Sequence, residues 1–188
     1  MTDVAWGTSS HGTWSFGNGD IYKNSPSSSW VSFNSGQSTT DTFRFYDVEP
    51  NAAGASPSWF GATTALSAST SYPPNSSAIK YGFQFPNGTS ATKFRTIENG
   101  VATERDTWSS GDKFEIDATA DPPKFYKNGS LVHTAANSLD GTELHMSCNI
   151  QNTGTSLYFD NCKYEAGGTP PVTTSTTFIP PPPAQVRF

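Results

Sequence analysis

Long apolar runs, cysteine and charge are all scarce in this sequence, and each shortage removes a class of protein. No apolar stretch approaches the roughly 20 residues that a helix needs to cross a bilayer, so a membrane span is not among the readings. Charged residues make up only 14 % of the chain, and the net charge is −5. Lysine and arginine are scattered, without the basic stripe that a phosphate backbone requires, which argues against nucleic acid as a partner. No window of helical length lacks both Gly and Pro while keeping a 3.6-residue apolar period, so long helices are not expected. The opening MTDVAWGTSS has neither a basic n-region nor an apolar h-region, so it does not read as a secretory signal. A place outside a cell would then be reached by another route, such as release with a virus particle.

The two cysteines, Cys148 and Cys162, fall in segments that read as neighbouring strands of one hairpin around Asn152–Gly154. That turn sets them out of register for a bridge. A disulfide and a pair of buried thiols are both open, the second suiting assembly in a reducing cytosol.

What is abundant are rings and turn formers. Aromatic residues are 13 % of 188, and Gly and Pro contribute 16 and 14 residues. A core built on rings, punctuated by turns, describes many short strands, and the length fits one domain with a real interior. TFRFYDV places Phe43 and Phe45 on one face and Arg44 and Tyr46 on the other. AIKYGFQF alternates with Ile79, Tyr81, Phe83 and Phe85 facing one way. KFRTI and VATERDTW flank Asn99–Gly100, and KFEID puts Phe114 and Ile116 on the core face. KFYKNGSLVHT is a tight hairpin whose Asn128–Gly129 pair suits the positive φ angles of a two-residue turn. ELHMSCNI and SLYFDNCKYE close the domain. With segments near Trp6, Trp14 and Trp30 the count reaches about ten to twelve strands, more than one open sheet holds, so two packed sheets are expected.

From residue 166 the composition changes. AGGTPPVTTSTTFIPPPPAQVRF cannot form a core, because its prolines fix φ and remove donors; it reads as an extended polyproline II arm on a Gly–Gly hinge. At about 3.1 Å per residue, some 20 residues reach roughly 60 Å. Phe178, Ile179, Val186, Arg187 and Phe188 are the expected anchors for a neighbouring subunit. The organisation is therefore a β-sandwich over 1–165 and an arm over 166–188.

The strand IKYGFQF, the Asn99–Gly100 hairpin, Gly111–Asp112 leading into KFEI, and the KFYKNGSLVHT hairpin together resemble the concanavalin A-like lectin/glucanase superfamily of jelly-roll domains. The N-terminal Trp6, Gly19–Ile21, Lys23 and Trp30 add to the likeness. The resemblance implies an all-β, two-sheet antiparallel jelly-roll sandwich, of the kind that occurs in bacteriophage appendages, adhesins and modules beside carbohydrate enzymes. It reports a fold and not a ligand.

Candidate chemistry is sparse. EIDATAD resembles the Glu-x-Asp-x-(x)-Glu strand of laminarinase-like hydrolases, whose paired carboxylates flank the scissile bond. Glu115 and Asp117 share a strand face as that motif requires. Thr119 and Ala120 stand where the last acid belongs, and Asp121 lies a step too far, before Pro122. Acids that simply face water are the plainer reading, so no enzyme activity and no catalytic residue are expected. His11, His133 and His145 are dispersed. Asp47, Asp140 and Asp160 could serve a loop calcium as in some relatives, but nothing separates them from turn aspartates, and no metal or cofactor is expected. Sugar rings stack on aromatic faces, which makes Trp59, Trp108 and Trp30 the candidates for carbohydrate contact, against the alternative that they are core.

The expectation is a virion structural or appendage protein, assembled in host cytoplasm. It would display a lectin-like sandwich, possess a C-terminal anchor to other virion proteins or sister subunits, and meet a host surface glycan. An extracellular, soluble carbohydrate-binding lectin module is the alternative, and a laminarinase-like glycoside hydrolase the third reading.

Overall fold

The computed structural model describes residues 2–3, 14–17, 20–23, 30–50, 58–64, 78–85, 93–151, 156–160 and 162–166. Fifteen strands are described: β1 (Thr2–Asp3), β2 (Trp14–Gly17), β3 (Asp20–Lys23), β4 (Trp30–Thr39), β5 (Phe43–Pro50), β6 (Ser58–Thr63), β7 (Ile79–Phe85), β8 (Lys93–Glu98), β9 (Val101–Thr107), β10 (Phe114–Asp117), β11 (Lys124–Lys127), β12 (Ser130–Thr134), β13 (Leu144–Gln151), β14 (Ser156–Asp160) and β15 (Lys163–Ala166). They form two antiparallel sheets, as the composition predicts. The larger, nine-stranded sheet runs β12-β11-β10-β5-β14-β3-β2, with β15 pairing β5 and β1; the smaller, six-stranded sheet runs β4-β13-β6-β7-β8-β9. The count exceeds expectation partly because β14 and β15 lie end to end along one side of β5.

The interior is a lattice of phenylalanines. Phe60 meets Phe45 and Phe159 edge-on at 5.2 and 5.6 Å, so the smaller sheet touches the larger through rings. Phe83 meets Phe114 and Phe125 in the same way at 5.1 and 5.3 Å. Each such pair adds about 0.5–1.5 kcal/mol beyond the area it buries. That is how a chain short of aliphatic residues closes a sandwich.

Two local readings are corrected. Cys148 and Cys162 do not sit in one hairpin: β13 is already paired by β4 and β6 on its two sides, so no edge is left for β14, which lies in the other sheet. Both cysteines are buried thiols. Burial pushes the Cys148 thiol well up, and Cys162 adds to it. Second, Ile79 does not share a face with Tyr81, Phe83 and Phe85. A register shift between Ala62 and Thr63 inverts it, and it packs instead with Trp59 and Ile97 in a separate small cluster. In β5, Phe43 and Phe45 face the core and Arg44 and Tyr46 the other way, as read from the sequence, and beyond them Tyr46 and Asp47 together oppose the single residue Glu115. Asp47 takes φ 54° there, a conformation that Asp tolerates, and Val48 returns to the core.

Candidate functional site

The two sheets meet at one side of the sandwich, where edge strand β9 of the smaller sheet and edge strand β12 of the larger one leave a groove of about 280 Å³. Thr96 and Glu98 of β8 line it, with Thr103 and Arg105 of β9, His133 of β12, and Asn99 and Asn137 from the connecting segments. Phe94, Thr96 and Glu98 alternate along one face of β8. Phe94 belongs to the core, and the same face turns polar as it leaves the sandwich.

The walls are held by Glu98. Its Oε1 accepts from the Asn137 backbone N–H at 2.8 Å and from Asn137 Nδ2 at 2.7 Å. Its Oε2 lies 3.2 Å from His133 Nε2. Burial acts to raise the Glu98 carboxyl, but hydrogen bonds from Ala136, Asn137 and His133 outweigh it and hold the group below the usual range. The segment after β12 is tacked down elsewhere too. Tyr81 Oη donates toward the carbonyls of Asn137 and Ser138, at 3.2 and 3.0 Å. Leu139 N–H donates to Asp121 at 2.9 Å. Burial first, then Asp140 and Glu98, push the Tyr81 phenol up to about 12, so it stays a donor at any ordinary pH. The Asn99–Gly100 turn is fixed by backbone bonds: Asn99 N–H donates to the Lys80 carbonyl at 2.8 Å and Gly100 N–H to that of Ile79 at 2.9 Å. Arg105 Nε donates to the Thr96 hydroxyl at 2.8 Å, and Thr96 itself is buried. The result is a preformed concavity with amide, hydroxyl, guanidinium and imidazole groups converging on it, chemistry suited to a hydroxyl-rich ligand.

Of the residues singled out from sequence, His133 lines the groove, whereas Trp59, Trp108 and the acids of EIDATAD do not. Trp59 is 2 % exposed and offers no open ring face, so it is corrected from stacking platform to packing residue. Trp108 is half-buried and meets Phe85 edge-on at 4.8 Å, closing the core. The indole N–H of both is buried with no hydrogen-bond partner among the described residues. The side chain of Trp30 lies outside the described residues, as do Phe178, Ile179, Val186, Arg187 and Phe188. The acids of EIDATAD are not brought together. Glu115 pairs with Arg44 on the outer face of the larger sheet. Asp117 accepts from the Thr119 N–H at 2.9 Å and so closes its own turn, while Asp121 serves Leu139. Asp140 is taken by Lys80 at 2.6 Å and Asp47 by Lys163 at 3.0 Å, and no cluster able to hold a metal occurs among the described residues. Asp160's side chain is not described. Sequence reading missed Glu98, Arg105 and Asn137. The available signal was the polar residues Thr96 and Glu98 at core parity behind Phe94.

No protein-family model matches the sequence, and a search of curated proteins returns no relative. Solved structures do match. One is a carbohydrate-binding module, CBM66 from Bacillus subtilis, 19 % identical, with TM-score 0.52 over 88 % of this chain and 99 % of that one. Another is the Emp46p carbohydrate recognition domain in its metal-free form, 5 % identical, with TM-score 0.58 over 82 % and 83 %. A third is a Bacillus subtilis protein of unknown function with a galectin-like fold, 12 % identical, with TM-score 0.53 over 85 % and 88 %. What they share with this chain is the fold, a two-sheet antiparallel jelly-roll sandwich.

Proposed function

We propose that this concanavalin A-like jelly roll is a non-catalytic carbohydrate-binding module whose saccharide sits in the groove between the β8–β9 hairpin and β12. The observation that carries the reading is the preformed groove itself, whose polar groups are fixed before any ligand arrives, which lowers the ordering cost of binding. Two of the similar structures are named for carbohydrate binding or recognition, in agreement with it. The dispersal of Glu115, Asp117 and Asp121 into separate structural tasks weighs against the hydrolase reading. A glycan array probed with the wild type and with Asn99→Gly tests the proposal. Retention on a defined set of glycans, weakened in the variant, is expected; an array blank for the wild type contradicts it.

A second reading rests on the sequence of 166–188. There the module is an appendage of a virion, assembled in the host cytoplasm, and the arm joins it to other virion proteins or sister subunits while the sandwich meets a host surface glycan. A chain truncated after Glu165 should fold and bind glycan as before yet fail to join the assembly. Full incorporation of the truncated chain would refute the anchoring role.

A further inference from the structure

Resting on the saccharide reading of the groove, we propose that the sugar it takes carries a carboxylate, as a uronic acid does, and that Arg105 reads it. The charged and titratable side chains facing the groove are Arg105 from β9, Glu98 from β8 and His133 from β12. Glu98 is committed to the protein: one oxygen holds Asn137 twice and the other faces His133. Arg105 is different. Its Nε is tied to the buried Thr96 hydroxyl, which fixes the plane of the guanidinium, and its terminal nitrogens take no partner among the described residues. Other arginines on these sheets are spent. Arg44 pairs with Glu115 and lies 4.6 Å over the Tyr46 ring, and Arg95 reaches Gln84 Oε1 at 3.5 Å. An anchored stem with an open fork at a concave wall matches a planar carboxylate through two parallel N–H···O bonds, which an ammonium cannot reproduce. Asn99, at the turn of the same hairpin, also lines the groove, has no side-chain hydrogen bond among the described residues and is available to ring hydroxyls. The groove lies at the small end of ligand sites, so it suits a terminal or branching acidic residue and not a stretch of polymer.

Matched methyl glycosides of gluco, galacto and manno configuration provide the test. Each pair differs only in a carboxylate where the neutral sugar has a hydroxymethyl group, and a sulfated sugar forms a further arm. The full chain, Arg105→Gln and Arg105→Lys are titrated by NMR, with thermal melts to establish folding. The wild type should bind at least one uronide about tenfold more tightly than its neutral partner and than the sulfated sugar. Arg105→Gln should level the pair, and Arg105→Lys, which keeps charge but loses the fork, should retain only part of the preference. Should Arg105→Gln fail to fold, Arg105→Lys decides. Neutral binding at the groove without acid preference, or a preference that survives Arg105→Gln, overturns this inference and leaves the saccharide reading standing. Absence of any saccharide binding overturns both.

Discussion

The molecule contains two Asn–Gly turns that look alike in sequence and differ in use. Asn99 and Asn128 take φ 47° and 50°, and the glycines after them 79° and 75°. At Asn128 every polar atom of the side chain is spent on the fold. Nδ2 donates to Asp112 at 2.7 Å, and Oδ1 accepts the Lys113 N–H at 2.8 Å. Asp112 also accepts from the Ser109 N–H and from Lys127, so the loop before β10 and the β11–β12 turn form one latch. At Asn99 the backbone alone holds the turn, and the amide is presented to the groove. The same dipeptide thus serves stability in one place and, on our reading, recognition in the other. What separates them is whether a side-chain partner is built in.

The comparison can be broken in four ways, the largest effect first. Glu98→Ala removes the carboxylate that accepts from the Asn137 backbone and side-chain N–H groups and faces His133; losing these hydrogen bonds to a charged group should cost about 2–3 kcal/mol in denaturant unfolding and abolish groove binding together. Asn128→Gly and Asn99→Gly form the decisive pair, because Gly accepts the positive φ at both sites and only the side chain is lost. Asn128→Gly should lose about 2 kcal/mol with binding intact. Asn99→Gly should lose no more than about 0.5–1 kcal/mol, the common entropic cost of glycine, with binding weakened. Equal stability losses at the two turns would erase the distinction.

Acid provides a third lever. Burial acts to raise the Asp112 carboxyl, but Asn128, the Ser109 amide and Lys127 outweigh it and hold it below the usual range, as Glu98 is held. A depressed folded-state pKa stabilises above the unfolded value, and the contribution is lost as pH falls through the folded one. Thermal midpoints should therefore hold above about pH 4–5 and drop below it, with a shallower drop in Asn128→Gly. The smallest effect is expected at the exposed Lys93–Glu104 pair, where Lys93→Gln should change neither stability nor binding measurably.

Much of the fold was legible because the signals are local and redundant. Phe43/Phe45, Phe83/Phe85 and Phe114/Ile116 alternate at strand period, and Asn128–Gly129 names its own turn. The pieces that carry the superfamily resemblance are structurally tied: Gly111–Asp112 and Asn128–Gly129 bond to each other across the latch. Where reading failed, the cause was non-local. Nothing within ELHMSCNI says that both its edges are taken, so the step to SLYFDNCKYE looked like a hairpin. An extra residue in β7 itself, Lys80, reversed Ile79, and the alternation of IKYGFQF does not show where its pairing with β6 slips. The groove was hidden for the same reason, since β8, β9, β12 and Asn137 contribute separate residues that read alone as turn, surface charge or stray histidine. Trp59 misled in the opposite direction, because it is packing material in the small cluster with Ile79 and Ile97 on the other face of its sheet.

The most direct test of the central claim is a backbone amide NMR map of the full chain titrated with the glycan that the array identifies. Shifts should concentrate at Asn99, Thr103, Arg105, His133 and Asn137. Shifts gathered instead around Tyr46, Glu115 and Tyr126 on the outer face of the larger sheet, with the groove silent, would contradict the account.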